Sequence, residues 1–222
     1  MPDKFVDVYF DYKSPYAYLM VAQTWELERD FAVQLNWLPY TLNIPDFLGS
    51  ARVGTDGEVL EADRSEHQWR RVHYSYMDVR RYANLRGLTV RGPQKIWDSS
   101  LAGIGMLYAK AQGVVRAYTD ITCDRFWKRE LDIEDRDVLR AVLAEAGADT
   151  AGWEAYLDGE GRAKHDRTRA EAEERGVFGV PSYVVDDELF WGREHLSLVR
   201  LRLAEQGLAN PGVEVDVPHA LR

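Results

Sequence analysis

The chain has 222 residues, of which 45% are hydrophobic and 29% charged, with a formal net charge of −9. This is an ordinary soluble mixture, long enough for one large domain or two small ones, and its acidity argues against a nucleic-acid partner. No apolar run reaches the ~18 residues of a membrane span, and Met1-Pro2-Asp3-Lys4 leads at once into a strand, so neither a membrane span nor a signal peptide is expected.

Phe5-Val6-Asp7-Val8-Tyr9-Phe10 reads as a strand, rich in aromatic and β-branched residues, with Val6, Val8 and Phe10 on one face. Asp11-Tyr12-Lys13-Ser14 is the turn after it. Ser14 suits a helix N-cap and Pro15 the first helical position. That helix runs to about residue 29, with Tyr18, Ala22 and Trp25 inward. A second strand over 33–38 completes a βαβ unit, so the two strands are expected to be parallel.

From residue 41 the character changes. Residues 42–61 read as a loop with prolines and glycines. Helices are expected over 64–86, 99–112, 115–128 and 135–146, and over 150–175 with breaks near Gly159 and Gly161. No strand signal is read in this block. The sheet resumes at 182–185, turns at Asp186-Asp187 and returns over 188–191 as a hairpin. A last amphipathic helix covers 194–206, with Leu196, Val199 and Leu203 inward. The tail from 209 is expected to be irregular or draped on the surface.

Without the block, the order is β-α-β then β-β-α. The fold class is therefore α/β, a thioredoxin-like fold with a large all-helical insertion after the second strand. Residues 1–40 and 176–208 form the thioredoxin-like domain, 41–175 the inserted helical domain and 209–222 the C-terminal tail.

The stretch Gly176-Val177-Phe178-Gly179-Val180-Pro181 leads into the third strand. Gly176 suits a left-handed helix cap, and Pro181 cannot donate a ladder hydrogen bond. A cis Val180–Pro181 bond would expose the Val180 backbone to an extended peptide beside it. In a dithiol thioredoxin a cysteine stands at the helix start, where the dipole and free N–H groups stabilise a thiolate. Here Ser14 holds that place and Ala17 that of the second cysteine. The single cysteine, Cys123, excludes an internal disulfide or a CxxC pair, and its apolar neighbours give it a structural reading. The five histidines are scattered, and no metal site is expected.

Phe10-Asp11-Tyr12-Lys13-Ser14-Pro15-Tyr16-Ala17-Tyr18-Leu19 and Gly176 to Val185, then Leu189-Phe190-Trp191-Gly192, together resemble the 2-hydroxychromene-2-carboxylate isomerases and kappa-class glutathione transferases, a DsbA-like branch of the thioredoxin fold. Tyr76 to Ala83 resembles that family's D-x-x-R-x-A helix, and Phe126-Trp127 with Asp132 to Asp135 another shared stretch. The resemblance implies a glutathione cofactor, its sulfur by Ser14 and its peptide along Val180 and Pro181. Ser14 would donate a hydrogen bond to the thiolate, worth roughly 1.5–3 kcal/mol, lowering the thiol pKa by about one to two units. The thiolate could add to an electron-poor double bond, allow rotation in the adduct and leave again, giving cis–trans isomerisation. If it stayed attached, the protein would be a kappa-like transferase.

Tyr12, Lys13 and Tyr16 are candidate substrate-pocket residues. The family's G-x-D-R-L, whose aspartate helps hold the γ-glutamyl end, is replaced by Gly192-Arg193-Glu194-His195-Leu196, so that role falls to Glu194. Further departures lie at 53–62 and at Lys95-Ile96-Trp97-Asp98. The resemblance also implies a cytoplasmic homodimer acting on a small aromatic carboxylate. A non-catalytic module that holds peptides at the Val180–Pro181 edge is the alternative outside enzymes.

Overall fold

The computed structural model describes residues 4–54 and 56–215, so the start of the N-terminal reading, Thr55 and tail residues 216–222 lie outside it. Strand β1 (Phe5–Phe10), helix α1 (Pro15–Asp30) and strand β2 (Gln34–Pro39) form the expected βαβ unit, and β1 and β2 pair in parallel from Phe5↔Gln34 to Phe10↔Pro39. Strands β3 (Ser182–Val185) and β4 (Glu188–Trp191) form the hairpin of the C-terminal half. The four-stranded sheet runs β2-β1-β3-β4, with β3 antiparallel to β1.

That antiparallel pairing decides where the site is. Tyr9 stands opposite Ser182, so the start of β3 lies beside the end of β1. The turn that follows β1 and the proline that precedes β3 are thereby brought to one edge, although the chain between them is long.

Between β2 and β3 lie a short helix, Pro45–Leu48, and helices α2 (Glu66–Leu85), α3 (Ser100–Ala111), α4 (Val115–Trp127), α5 (Arg136–Glu145), α6 (Trp153–Asp158) and α7 (Glu160–Glu174). Ser65 caps α2 in a reciprocal capping box with Gln68, and Asp135 caps α5. Among the described residues the inserted segment has helices, connecting loops and one hairpin, Ser50–Val53 with Val59–Asp63, where the sequence predicted a loop. Ser50–Val53 alternates, with Ala51 and Val53 the less exposed, but over only four residues, and Val59–Asp63 is exposed throughout and does not alternate. The last helix also differs: a 3-10 turn at Arg193–His195 precedes α8 (Leu196–Glu205). The described part of the tail is tied back, with the Asn210 N–H donating to the Asp30 carbonyl at 2.9 Å and Val213 packed on the core.

One cluster of buried side chains runs through the sheet and the insertion. Trp37 on β2 is fully buried, with Phe10 edge-on at 5.4 Å and Trp25 of α1 at 4.5 Å. Helix α3 lies against β2, and its Lys110 donates to the Trp37 carbonyl at 3.0 Å. Close approach depends on two glycines in its first turns. A Cβ on Gly103 would stand 2.9 Å from Pro39, and one on Gly105 only 2.1 Å from the Tyr118 hydroxyl. Tyr118 is fully buried and donates to the Ala102 carbonyl at 3.1 Å, so it has no room to retreat. Cys123 is also buried, and burial pushes its thiol well above the ordinary range, as its structural reading requires.

The Gly105→Ala variant sets helix propensity, worth about 1 kcal/mol in favour of alanine, against overpacking, which costs about 1–3 kcal/mol. Urea denaturation is expected to show a net loss of stability; a more stable variant would contradict the packing described.

Candidate active site

Ser14 is the N-cap of α1. Its backbone is extended (φ −85°, ψ 113°), its Oγ accepts from the Ala17 N–H at 3.2 Å, and it is 5% exposed. A hydroxyl has one proton to give. With the cap bond accepted at Oγ, that proton remains for a partner outside the helix. The described atom within its reach is the Val180 carbonyl oxygen, at a long 3.5 Å. The Val180–Pro181 peptide bond is cis, and the Pro181 carbonyl accepts from the Gly192 N–H at 2.8 Å. Among the described residues the Val180 N–H has no acceptor. Ser14, Val180 and Pro181 are thus brought together, with both polar groups of Val180 still able to bind.

Beneath Ser14 lies a carboxylate to which the sequence reading gave no role. Asp11 has a fully buried side chain. It accepts from the Lys13 N–H at 3.1 Å and the Leu42 N–H at 2.8 Å, and stands 3.4 Å from Lys13 Nζ. It therefore fixes the turn before Ser14 to the chain entering the insertion. Lys13 Nζ also donates to Ser99 Oγ at 3.2 Å, so this lysine is a held, mostly buried cation rather than a solvated one.

Ser14 opens on a cavity of about 910 Å³ between the sheet edge and the insertion. Lys13, Tyr16, Val180 and Trp191 line one wall, and Ile44, Val53, Tyr76 and Trp97 belong to the other. A Cβ on Gly179 would stand 2.5 Å from Trp191 Nε1, so the absent side chain is what lets Trp191 lie against the backbone at 179. Trp191 is 47% exposed and belongs to this wall.

Three of the predicted site residues are not in the cavity wall: Tyr12, Glu194 and Pro181, the last buried next to Val180. Tyr12 is core: it is 1% exposed, its hydroxyl lies 3.1 Å from Thr119 Oγ1, and its ring packs edge-on against Phe10 and Tyr118. Its ring packs into the insertion, against Tyr118 and Thr119 of α4, and not into the cavity, which its sequence neighbourhood could not reveal. Glu194 is also outside the lining, and its carboxylate accepts from Arg193 Nε at 2.8 Å. Partial burial opposes its ionisation, but the Arg193 guanidinium outweighs this and holds its carboxyl below the usual range.

Arg193 was not singled out from the sequence, yet it ties the β4–α8 connection to α2. It donates to Asp78 Oδ2 at 2.9 Å and lies over the Tyr82 ring at 3.7 Å. Tyr16 donates to the same Asp78 oxygen at 3.2 Å, and burial, then the neighbouring Asp78 charge, raises its phenol pKa. The available signal was Asp78 in the resembling helix together with an arginine beside Glu194. Among the described residues, no group of His, Cys, Asp and Glu could hold a metal ion.

The two partners of Arg193 should be unequal. Arg193→Met leaves Asp78 buried without its cation and is expected to cost about 3 kcal/mol in urea denaturation. Glu194→Gln breaks an exposed pair and should stay within about 1 kcal/mol. Equal losses would contradict the assignment of Asp78 as the structural partner.

A model of the DSBA-like thioredoxin domain matches residues 5–204. The 2-hydroxychromene-2-carboxylate isomerase of Pseudomonas putida is 27% identical over 197 residues, 87% of this chain and 91% of that protein. The enzyme of the same name from Sphingobium xenophagum is 26% identical over 205 residues, 91% of this chain and 99% of that protein. A solved 2-hydroxychromene-2-carboxylate isomerase superposes with a TM-score of 0.72 at 25% identity, covering 91% of this chain and 96% of that one. A probable DsbA oxidoreductase from Streptomyces coelicolor reaches the same TM-score, 0.72, at 17% identity, over 96% of this chain and 94% of that one, a likeness of fold. The chain belongs to the DSBA-like thioredoxin domain family, and within it resembles the 2-hydroxychromene-2-carboxylate isomerases.

Proposed function

We propose that the protein is a glutathione-dependent isomerase acting on an aromatic carboxylate of the 2-hydroxychromene-2-carboxylate kind. The observation that carries this reading is the Ser14 hydroxyl, set at a helix start opposite the Val180 backbone, with a large cavity in front and no cysteine beside it. The name shared by the curated relatives supports the reaction class.

The residues present suit glutathione. An extended peptide needs a donor and an acceptor along one edge, and Val180 offers an N–H without a partner and a carbonyl with only a long contact. Bound there, glutathione would supply a thiolate able to add reversibly to an electron-poor double bond. Ser14 would donate its proton to the sulfur, and the N-terminus of α1 adds the favourable end of a helix dipole. Asp11 and Lys13 hold the Ser14 turn in place. The 910 Å³ cavity lies near the top of the ~300–1,000 Å³ range of single-ligand pockets, which favours a site for cofactor and substrate together. The resemblance extends the reading to a cytoplasmic homodimer.

Turnover of 2-hydroxychromene-2-carboxylate, followed by absorbance with a thiol assay alongside, tests the reading. Product is expected to form only with reduced glutathione, S-methylglutathione is expected to fail, and the thiol should be returned in full. Ser14→Ala is expected to lower kcat about tenfold to a hundredfold while the protein stays folded, as loss of one charge-assisted hydrogen bond implies. Turnover without glutathione would overturn the cofactor assignment, and consumption of one thiol per product would make the protein a transferase.

A further inference from the structure

The cavity carries a charge that the chain as a whole does not. The net charge is −9, yet the charged residues lining the cavity are Lys13, Arg64, Arg71, Arg80 and Lys95, with no aspartate or glutamate among them. Lys13 is neutralised by Asp11 and Lys95 by Glu134. Arg64, Arg71 and Arg80 make no ion pair among the described residues. Arg71 and Arg80 are exposed and Arg64 is half-buried. Arg64 and Arg80 are anchored by neutral contacts. Arg64 Nε donates to the Gly49 carbonyl at 3.4 Å, and its guanidinium lies 4.9 Å from the Trp69 ring centre. Arg80 Nε donates to the Val90 carbonyl at 3.3 Å, and its guanidinium lies 5.7 Å from the Tyr76 ring centre.

Both guanidinium groups are near enough to the Tyr76 phenol for their charge to act on it. Arg64, the half-buried one, is a cation without a counter-ion, which is unfavourable, and burial pushes its pKa below the ordinary value. A carboxylate is the anion whose two oxygens match a guanidinium fork, and the rings of Tyr76 and Trp97 offer flat apolar surface beside it. We propose, resting on the isomerase reading above, that Arg64 and Arg80, with the Tyr76 hydroxyl, hold the carboxylate of the aromatic substrate, so that the insertion selects anionic substrates over neutral ones of the same shape. A carboxylate of glutathione has the same chemistry, and the experiment separates the two sources.

Calorimetric titration with 2-naphthoate and with its uncharged counterpart 2-naphthol, in the absence of glutathione, is the test. Glutathione is titrated separately. The wild-type protein is expected to bind 2-naphthoate more tightly. Arg64→Met and Arg80→Met should each weaken 2-naphthoate about tenfold, the loss of a charge-assisted hydrogen bond, and leave 2-naphthol and glutathione unchanged. Arg81→Met, on the same helix but outside the cavity lining, should change nothing. Thermal melting checks that each variant folds, and Arg80→Lys, which keeps the charge, should fall between wild type and Arg80→Met. Equal affinity for the two naphthalenes, or no 2-naphthoate binding, overturns the proposal. Weakened glutathione with unchanged 2-naphthoate also overturns it and assigns the arginines to the cofactor. Because 2-naphthoate is titrated without glutathione, failure of the cofactor reading leaves this result readable.

Discussion

The antiparallel pairing of β3 with β1 is the constraint on which the site depends. It sets Ser182 opposite Tyr9, and so puts the residues just before β3 beside the turn just after β1. Ser14 and Val180 meet for this reason alone. A one-residue slip would turn every side chain of β3 to the other face and would move Val180 off the helix start. The register is protected by burial, because all four residues of β3 are buried and the Tyr183 hydroxyl lies 2.9 Å from Thr24 Oγ1 on α1. A central strand of this kind gives the site a rigid floor.

The insertion supplies what the sheet lacks. A thioredoxin-like sheet alone offers a helix start and a peptide-binding edge. The opposite wall comes from the segment after β2 and from α2, and it must be held at a fixed distance if the cavity is to select its ligands. A charge-assisted hydrogen bond and a buried ion pair do this from opposite sides. Asp11 binds the Leu42 N–H where the chain leaves β2, and Arg193 binds Asp78 in the middle of α2. Buried pairs contribute little net stability but are costly to break, so they favour one arrangement of the two walls over others.

The sheet and most helices were legible in the sequence because their patterns are local. Val6, Val8 and Phe10 alternate, Ser14-Pro15 announces a helix, and glycines close α2 and α7. The hairpin over 50–63 was missed because its one alternating strand is only four residues long and its partner, exposed throughout, has no hydrophobic period to read. Tyr12 was misplaced because the sequence of a turn does not say which way its side chains face, and only the packing of Thr119 and Tyr118 shows it. Arg64, Arg80 and Arg193 were silent for a different reason. In sequence they are indistinguishable from the solvated arginines around them, and their meaning comes from the fold, which sets Arg64 and Arg80 in the cavity wall and Arg193 against Asp78. The pairing of Ser14 with Val180 and Pro181 was legible as an expectation because a serine in place of a reactive cysteine is a chemical anomaly in this layout.

The central claim is that Ser14 holds the sulfur of a thiol the protein does not itself own. Its most direct test is the thiol pKa of protein-bound glutathione, read from thiolate absorbance near ~240 nm across a pH titration, for wild type and Ser14→Ala. A hydrogen bond to a charged sulfur, at roughly 1.5–3 kcal/mol, predicts a bound pKa about one to two units below that of free glutathione, restored toward the free value in the variant. A bound pKa equal to the free value in both proteins, or no binding at millimolar glutathione, would contradict the account.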